Sequence, residues 1–139
     1  MSGPILTTAR PKLPSVARGW PLLPMPDADG ALAWPDPVVS VRQMIEVILR
    51  TAPGEQLMRP RFGAGVAAML HAPNDLATRA RMQDAIVAAL KLYEPRIRAD
   101  RVDVDPAPDP REVLVTIAYR VILTGEARTL QATVPVGAA

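Results

Sequence analysis

Glu94-Pro95-Arg96-Ile97 divides this chain into a part that reads as helix and a part that reads as strand. Upstream, Leu76, Met82, Ile86, Leu90 and Tyr93 recur at helical spacing, and Pro95 stops that helix because it lacks an amide hydrogen and its ring clashes with the preceding turn. Downstream, the period changes to two. Val102 and Val104 alternate with Arg101, Asp103 and Asp105, as a half-buried strand requires. Val113, Val115, Ile117, Tyr119, Val121 and Leu123 then share one face of a longer strand, backed by Leu114, Thr116, Ala118, Arg120 and Ile122. The proline-rich stretch 106–110 is the turn between these two strands. Thr124-Gly125-Glu126 reads as a tight connection to a last strand over residues 128–136, which closes an antiparallel hairpin.

Working outward, Asn74 ahead of Asp75 caps the helix that ends at Tyr93. An earlier helix is expected from Ser40, where Ser40 and Gln43 form a capping box. Val41, Met44, Ile45, Ile48 and Leu49 make its apolar stripe, and Pro53-Gly54 ends it. Residues 54–74 form a loop with one helical turn between Gly65 and Leu70. Helices first and strands afterwards indicate an α+β domain, two main helices packed on a small antiparallel sheet with a C-terminal β-hairpin. This domain spans residues 38–139. Residues 1–37 hold eight of the 16 prolines and read as an extended arm, with a short strand around Gly30 to Trp34 and with Trp20, Leu22, Leu23, Met25 and Trp34 as apolar anchors. The arm lies either on a partner or on its own domain.

A length of 139 residues fits one core. With no cysteine, one histidine and no clustered carboxylates, the chain has no thiolate metal site, no cofactor motif and no obvious catalytic group. His71 is expected to be an exposed loop residue. The apolar runs are far shorter than the roughly 20 residues that cross a bilayer, and the start of the chain lacks the apolar region of a secretory signal. The net charge of +2 is scattered, and aromatics make up only 4%, so a nucleic-acid partner is not expected. Surfaces, rather than chemistry, carry the information here.

Five pieces in order carry a resemblance. Gly19-Trp20-Pro21, Arg42-Gln43 with Ile45, Ile48 and Leu49, Thr51-Ala52-Pro53-Gly54-Glu55, Met58-Arg59-Pro60-Arg61-Phe62-Gly63 and Glu94-Pro95-Arg96-Ile97 resemble the baseplate wedge and sheath-initiator family of contractile injection machines. That family includes the gene-25-type wedge protein of contractile phage tails and its counterpart in type VI secretion baseplates. The chain departs from the family pattern at Leu22, Gln56 and Arg61, which bears on partner identity more than on fold.

The resemblance implies a structural part, not an enzyme. It would join the baseplate wedge to the tube and sheath, contact the wedge proteins, the sheath protein of the first ring and inner tube or hub proteins, and start sheath assembly by strand addition to its sheet. It implies several copies in a six-fold assembly, built in the bacterial cytoplasm as part of a released or membrane-attached particle, with no insertion of this chain into a membrane. The residues it marks for partner contact are Trp20, Arg59, Arg61, Glu94, Pro95 and Arg96, with Val115, Ile117, Tyr119 and Val134 on the hairpin 112–136, the expected docking edge. On that reading Arg96→Glu leaves the domain folded and stops sheath extension. Three plainer readings stay open: an internal Glu94–Arg96 ion pair capping the helix, a mainly structural role for residues 59–63 with Phe62 plugging the core, and a hairpin covered by its own helices. Two other functions are weighed against the baseplate role. One is a small non-catalytic adaptor outside any injection machine; the other is a lysozyme-like glycosidase, for which Glu94 and Glu112 would be the carboxylate pair.

Overall fold

The computed structural model describes residues 26–32, 34–69 and 71–136. Helix α1 spans Pro37–Arg50 and helix α2 spans Leu76–Tyr93, with a single 3-10 turn, Val66–Met69, between them. Three strands follow, β1 (Ile97–Pro106), β2 (Glu112–Val121) and β3 (Ala127–Pro135), and they pair antiparallel in the order β1-β2-β3. The α+β reading holds.

The cap of α1 lies four residues earlier than the capping-box signal predicts. Asp36 is the cap, its Oδ1 accepting from the Val38 amide at 3.0 Å, and Pro37 takes the first helical position, where a missing amide costs nothing. Ser40 is therefore interior and buried. Residue 37, the end of the expected arm, belongs to the helix. The second cap is likewise displaced by one residue: Asp75 accepts from the Thr78 amide at 2.7 Å, while Asn74 reaches the Pro110 carbonyl at 3.2 Å. Leu76, expected in the core, is exposed, because as the first helical residue it precedes the face that meets the sheet. Pro26 and Leu32 form one isolated bridge around an Asp27 turn, so residues 26–32 make a turn where a short strand around Gly30 to Trp34 is expected. The arm residues before Pro26, Trp20 included, lie outside the described residues.

One face of the sheet is covered. Val41, Ile45, Ile48 and Leu49 of α1 and Met82, Ile86 and Leu90 of α2 are buried together with Ile97, Val102 and Val104 of β1, Val113, Val115, Ile117, Tyr119 and Val121 of β2, and Leu130 and Val134 of β3. The opposite face is polar or half-exposed, the usual state of a small antiparallel sheet. β1 begins at Ile97, earlier than the Val102–Val104 alternation indicated. A bulge between Ala99 and Arg101 shifts the pairing, so the inward positions are odd before it and even after it.

Candidate functional site

Three parts of the structure hold the residues expected to meet partners: the corner where α2 enters β1, the loop 57–63, and the hairpin of β2 and β3.

Pro95 ends α2 abruptly, and the chain turns directly into β1. This places Glu94, 1% exposed, beside Arg96. The Arg96 guanidinium forks onto the carboxylate, Nε to Oε1 and Nη2 to Oε2, both at 2.7 Å, and the Arg96 amide donates to Oε1 at 3.3 Å. Nη1 donates to Ser40 Oγ of α1 at 3.1 Å, so the corner ties both helices to the sheet. The fork to Glu94 raises the Arg96 pKa above its ordinary value. Arg96 keeps 41% of its side chain exposed and can still meet a partner. An internal pair and an outward-facing cation thus coexist, but Arg96→Glu would set two carboxylates against each other at a buried site. Loss of folding, rather than a clean loss of contact, is the expected result of that change.

The loop before α2 is held from inside. Phe62 fills the core at 1% exposure, with the Tyr93 ring 5.0 Å away, and the Arg59 guanidinium lies 4.4 Å from the Phe62 centroid. The Tyr93 hydroxyl donates to the Arg61 carbonyl. Gly63, at φ 115°, packs so close to the Thr51 carbonyl that a Cβ would sit 2.1 Å from its oxygen. Arg59 is thus engaged within the chain, Arg61 is exposed, and the loop supports Leu57 and Met58 at its tip, 96% and 93% exposed.

On the hairpin the structure separates residues that the sequence reading grouped. Val115, Ile117 and Tyr119 belong to the middle strand, paired to β1 on one side and to β3 on the other, and their side chains are buried. They form core and cannot accept a strand. Val134 lies on β3, with its side chain turned to the helices. The free edge is the outer side of β3, with which no described residue pairs. Its phase follows from the bonds at either end of the ladder, Val121 N–H to the Glu126 carbonyl and Val136 N–H to the Arg111 carbonyl. Antiparallel pairs alternate, so the even-numbered residues 128–136 bond to β2. The amides and carbonyls of Ala127, Thr129, Gln131 and Thr133 therefore point outward, together with the carbonyl of Pro135. A proline fits this parity, since only an outward position can lack a donor without breaking the ladder.

The two sheet edges differ in character. β1 carries Arg98, Asp100, Arg101, Asp103 and Asp105 and a bulge, features that discourage edge pairing. β3 has no charged side chain after Arg128 and no bulge.

The carboxylates weighed for glycoside cleavage are far apart. Arg96, next to Glu94, pairs with Ile122 just beyond the end of β2, whereas Glu112 begins that strand, so the two carboxylates are separated by about 30 Å of extended chain. A glycosidase pair needs roughly 5 to 10 Å. Among the described residues no group of acidic or histidine side chains could hold a metal ion, and no helix is long and apolar enough to cross a membrane.

With the geometry in place, comparison with known proteins is direct. The family model described as baseplate wedge protein gp25 matches residues 37–126. Among solved structures, the chain is similar to the crystal structure of a candidate tail lysozyme from Geobacter sulfurreducens, at TM-score 0.70 and 28% identity over 78% of this chain and 99% of that one. It shares its fold with a chain of the anti-feeding prophage baseplate (TM-score 0.61, 19% identity, 88% of this chain and 87% of that one). The same fold occurs in the type VI secretion baseplate complex (TM-score 0.57, 21% identity, 71% and 93%). No curated protein sequence matches significantly. The fold and the family match define a baseplate component of contractile injection systems. The chain belongs to the gp25 baseplate wedge family.

Proposed function

We propose that this chain is a non-catalytic baseplate subunit that joins the wedge to the tube and sheath and starts the sheath, by accepting a strand from a first-ring sheath subunit on the outer edge of β3. The observation that carries this reading is the contrast between the edges: β3 offers outward amides and carbonyls that no described residue pairs with, flanked after Arg128 by uncharged side chains, whereas β1 is charged and bulged. Strand addition takes its affinity from such main-chain groups and its register from alternating side chains. Several copies around a six-fold axis, in contact with wedge proteins and with inner tube or hub proteins, fit the six-fold symmetry of the anti-feeding prophage baseplate that contains a similar fold. Assembly in the bacterial cytoplasm as part of a phage tail or tail-like particle goes with this role. A glycosidase role is disfavoured, because Glu94 is closed off by Arg96 and lies far from Glu112.

The test uses Gln131→Pro, which deletes an outward donor and leaves the β2 ladder bonded. Baseplates assembled with this variant should form and carry no sheath, while the isolated protein keeps its fold. Normal sheaths on those baseplates would refute the proposal. An adaptor outside any injection machine would instead fail to co-purify with sheath or tube protein.

A further inference from the structure

Beside the β3 edge lies a groove of about 270 Å³, walled by Val38, Val39 and Arg42 of α1 and by Arg128 and Leu130 of β3, with Tyr119 among its lining residues. It sits where the first turns of α1 pass the outer side of the sheet, on the helix-covered face. A strand added to β3 runs about 4.8 Å outside it, and its side chains alternate between the two faces. One of them must point into this groove, next to Arg128 and Leu130.

We infer that the groove is a specificity pocket for a carboxylate side chain on the incoming strand, held by the Tyr119 hydroxyl and the Arg42 and Arg128 guanidiniums. The inference rests on the strand-addition reading and adds the chemistry of the partner. Tyr119 is 3% exposed and belongs to the groove lining, so its phenol sits at the inner wall of a groove whose two arginines stand at the solvent side. Burial raises the phenol pKa, which keeps it a neutral O–H donor at neutral pH. Arg128 and Arg42 act in the opposite direction on that pKa, while Glu126 and Glu94 add to the rise, which puts both cations, and these two carboxylates with them, within electrostatic reach of the phenol. Each arginine already has a carboxylate neighbour, Glu46 at 3.3 Å from Arg42 and Glu126 at 2.5 Å from Arg128. Both pairs are solvent-exposed and so hold their arginines weakly, and each guanidinium has further N–H groups to give. Val38, Val39 and Leu130 supply apolar walls for the carbon stem, which favours the longer stem of Glu over Asp.

The experiment measures fluorescence anisotropy of the full chain with two labelled twelve-residue peptides of alternating Val and Thr, one with a central Glu and one with Gln in its place. The Glu peptide should bind at least fivefold more tightly, and the preference should vanish in Arg42→Gln/Arg128→Gln and shrink in Tyr119→Phe, all three side chains being dispensable for the ladder. Both peptides should lose affinity on Gln131→Pro. Equal affinity of the two peptides for the unmodified chain would overturn the carboxylate pocket and leave strand addition standing. Failure of both to bind would overturn strand addition and the pocket with it. A Glu preference that survives Gln131→Pro would detach the cations from the edge, and concentration-dependent self-association abolished by Arg42→Gln/Arg128→Gln would make a second copy the occupant; either result refutes the inference.

Discussion

Glu94 has more to lose than Arg96, although the two share one fork. The carboxylate is 1% exposed and receives three hydrogen bonds from Arg96, while the arginine side chain is 41% exposed. Removing the arginine leaves a buried charge without its partner, a change that typically costs several kcal/mol. Removing the carboxylate charge leaves a cation that water can reach. Arg96→Ala should therefore destabilise the domain by about 3 kcal/mol, and Glu94→Gln, which keeps an acceptor in place, by only about 1 kcal/mol. Urea denaturation of the two variants against the parent decides the matter. Equal costs would mean that solvent already screens the pair, and the corner would then be a surface contact rather than a structural tie. The sequence disclosed the helix stop at Pro95 and the option of an internal pair. It could not disclose Ser40 as the third member, because 56 positions separate Ser40 from Arg96 and no local pattern links them.

At the level of elements, both helix starts differ from the sequence expectation for one physical reason: several neighbouring residues can cap, and only the backbone turn decides which oxygen meets the orphan amides. Ser40 and Asn74 have suitable chemistry, but Asp36 and Asp75 have the geometry. The Asp75 cap carries a pH signature. Its bonds from the backbone and side chain of Thr78 hold the carboxyl below its ordinary pKa, so the folded value lies under the unfolded one. The cap's contribution is complete above the unfolded value of about 3.9 and is lost as pH falls through the folded value. Asp75→Asn retains an acceptor that does not titrate. The urea midpoints of parent and variant should keep a constant gap between about pH 5 and pH 7, and below about pH 4 the parent should lose ground to the variant. A gap that stays constant into stronger acid would show that the carboxylate charge does not support the helix. The β1 bulge escaped the sequence reading for a related reason. Alternation over residues 101–105 is clear, whereas an extra residue at 99–101 inverts the parity upstream and makes Arg98-Ala99-Asp100 look patternless.

For the molecule as a whole, the arrangement is asymmetric. Both helices sit on one face, the charged β1 guards one edge, and β3, charged only at Arg128, forms the other, with which no described residue pairs. The hydrophobic alternation of Val113 to Val121 made the hairpin legible, but sequence alone could not say that β2 would be central, with Val115, Ile117 and Tyr119 on a strand already paired on both sides. The topology makes a residue-resolved claim that needs no partner in hand. Amide exchange in the isolated chain should alternate along β3: Leu130, Ala132 and Val134, bonded to β2, exchange slowly, and Thr129, Gln131 and Thr133 exchange fast because their amides face water. Bound sheath protein should then slow the second set selectively, with little change in the first. Fast exchange of the odd set in the free chain and its protection on binding are separate demands. If Thr129, Gln131 and Thr133 are already protected in the solitary protein, another part of the chain occupies the edge, and sheath docking must begin by displacing it.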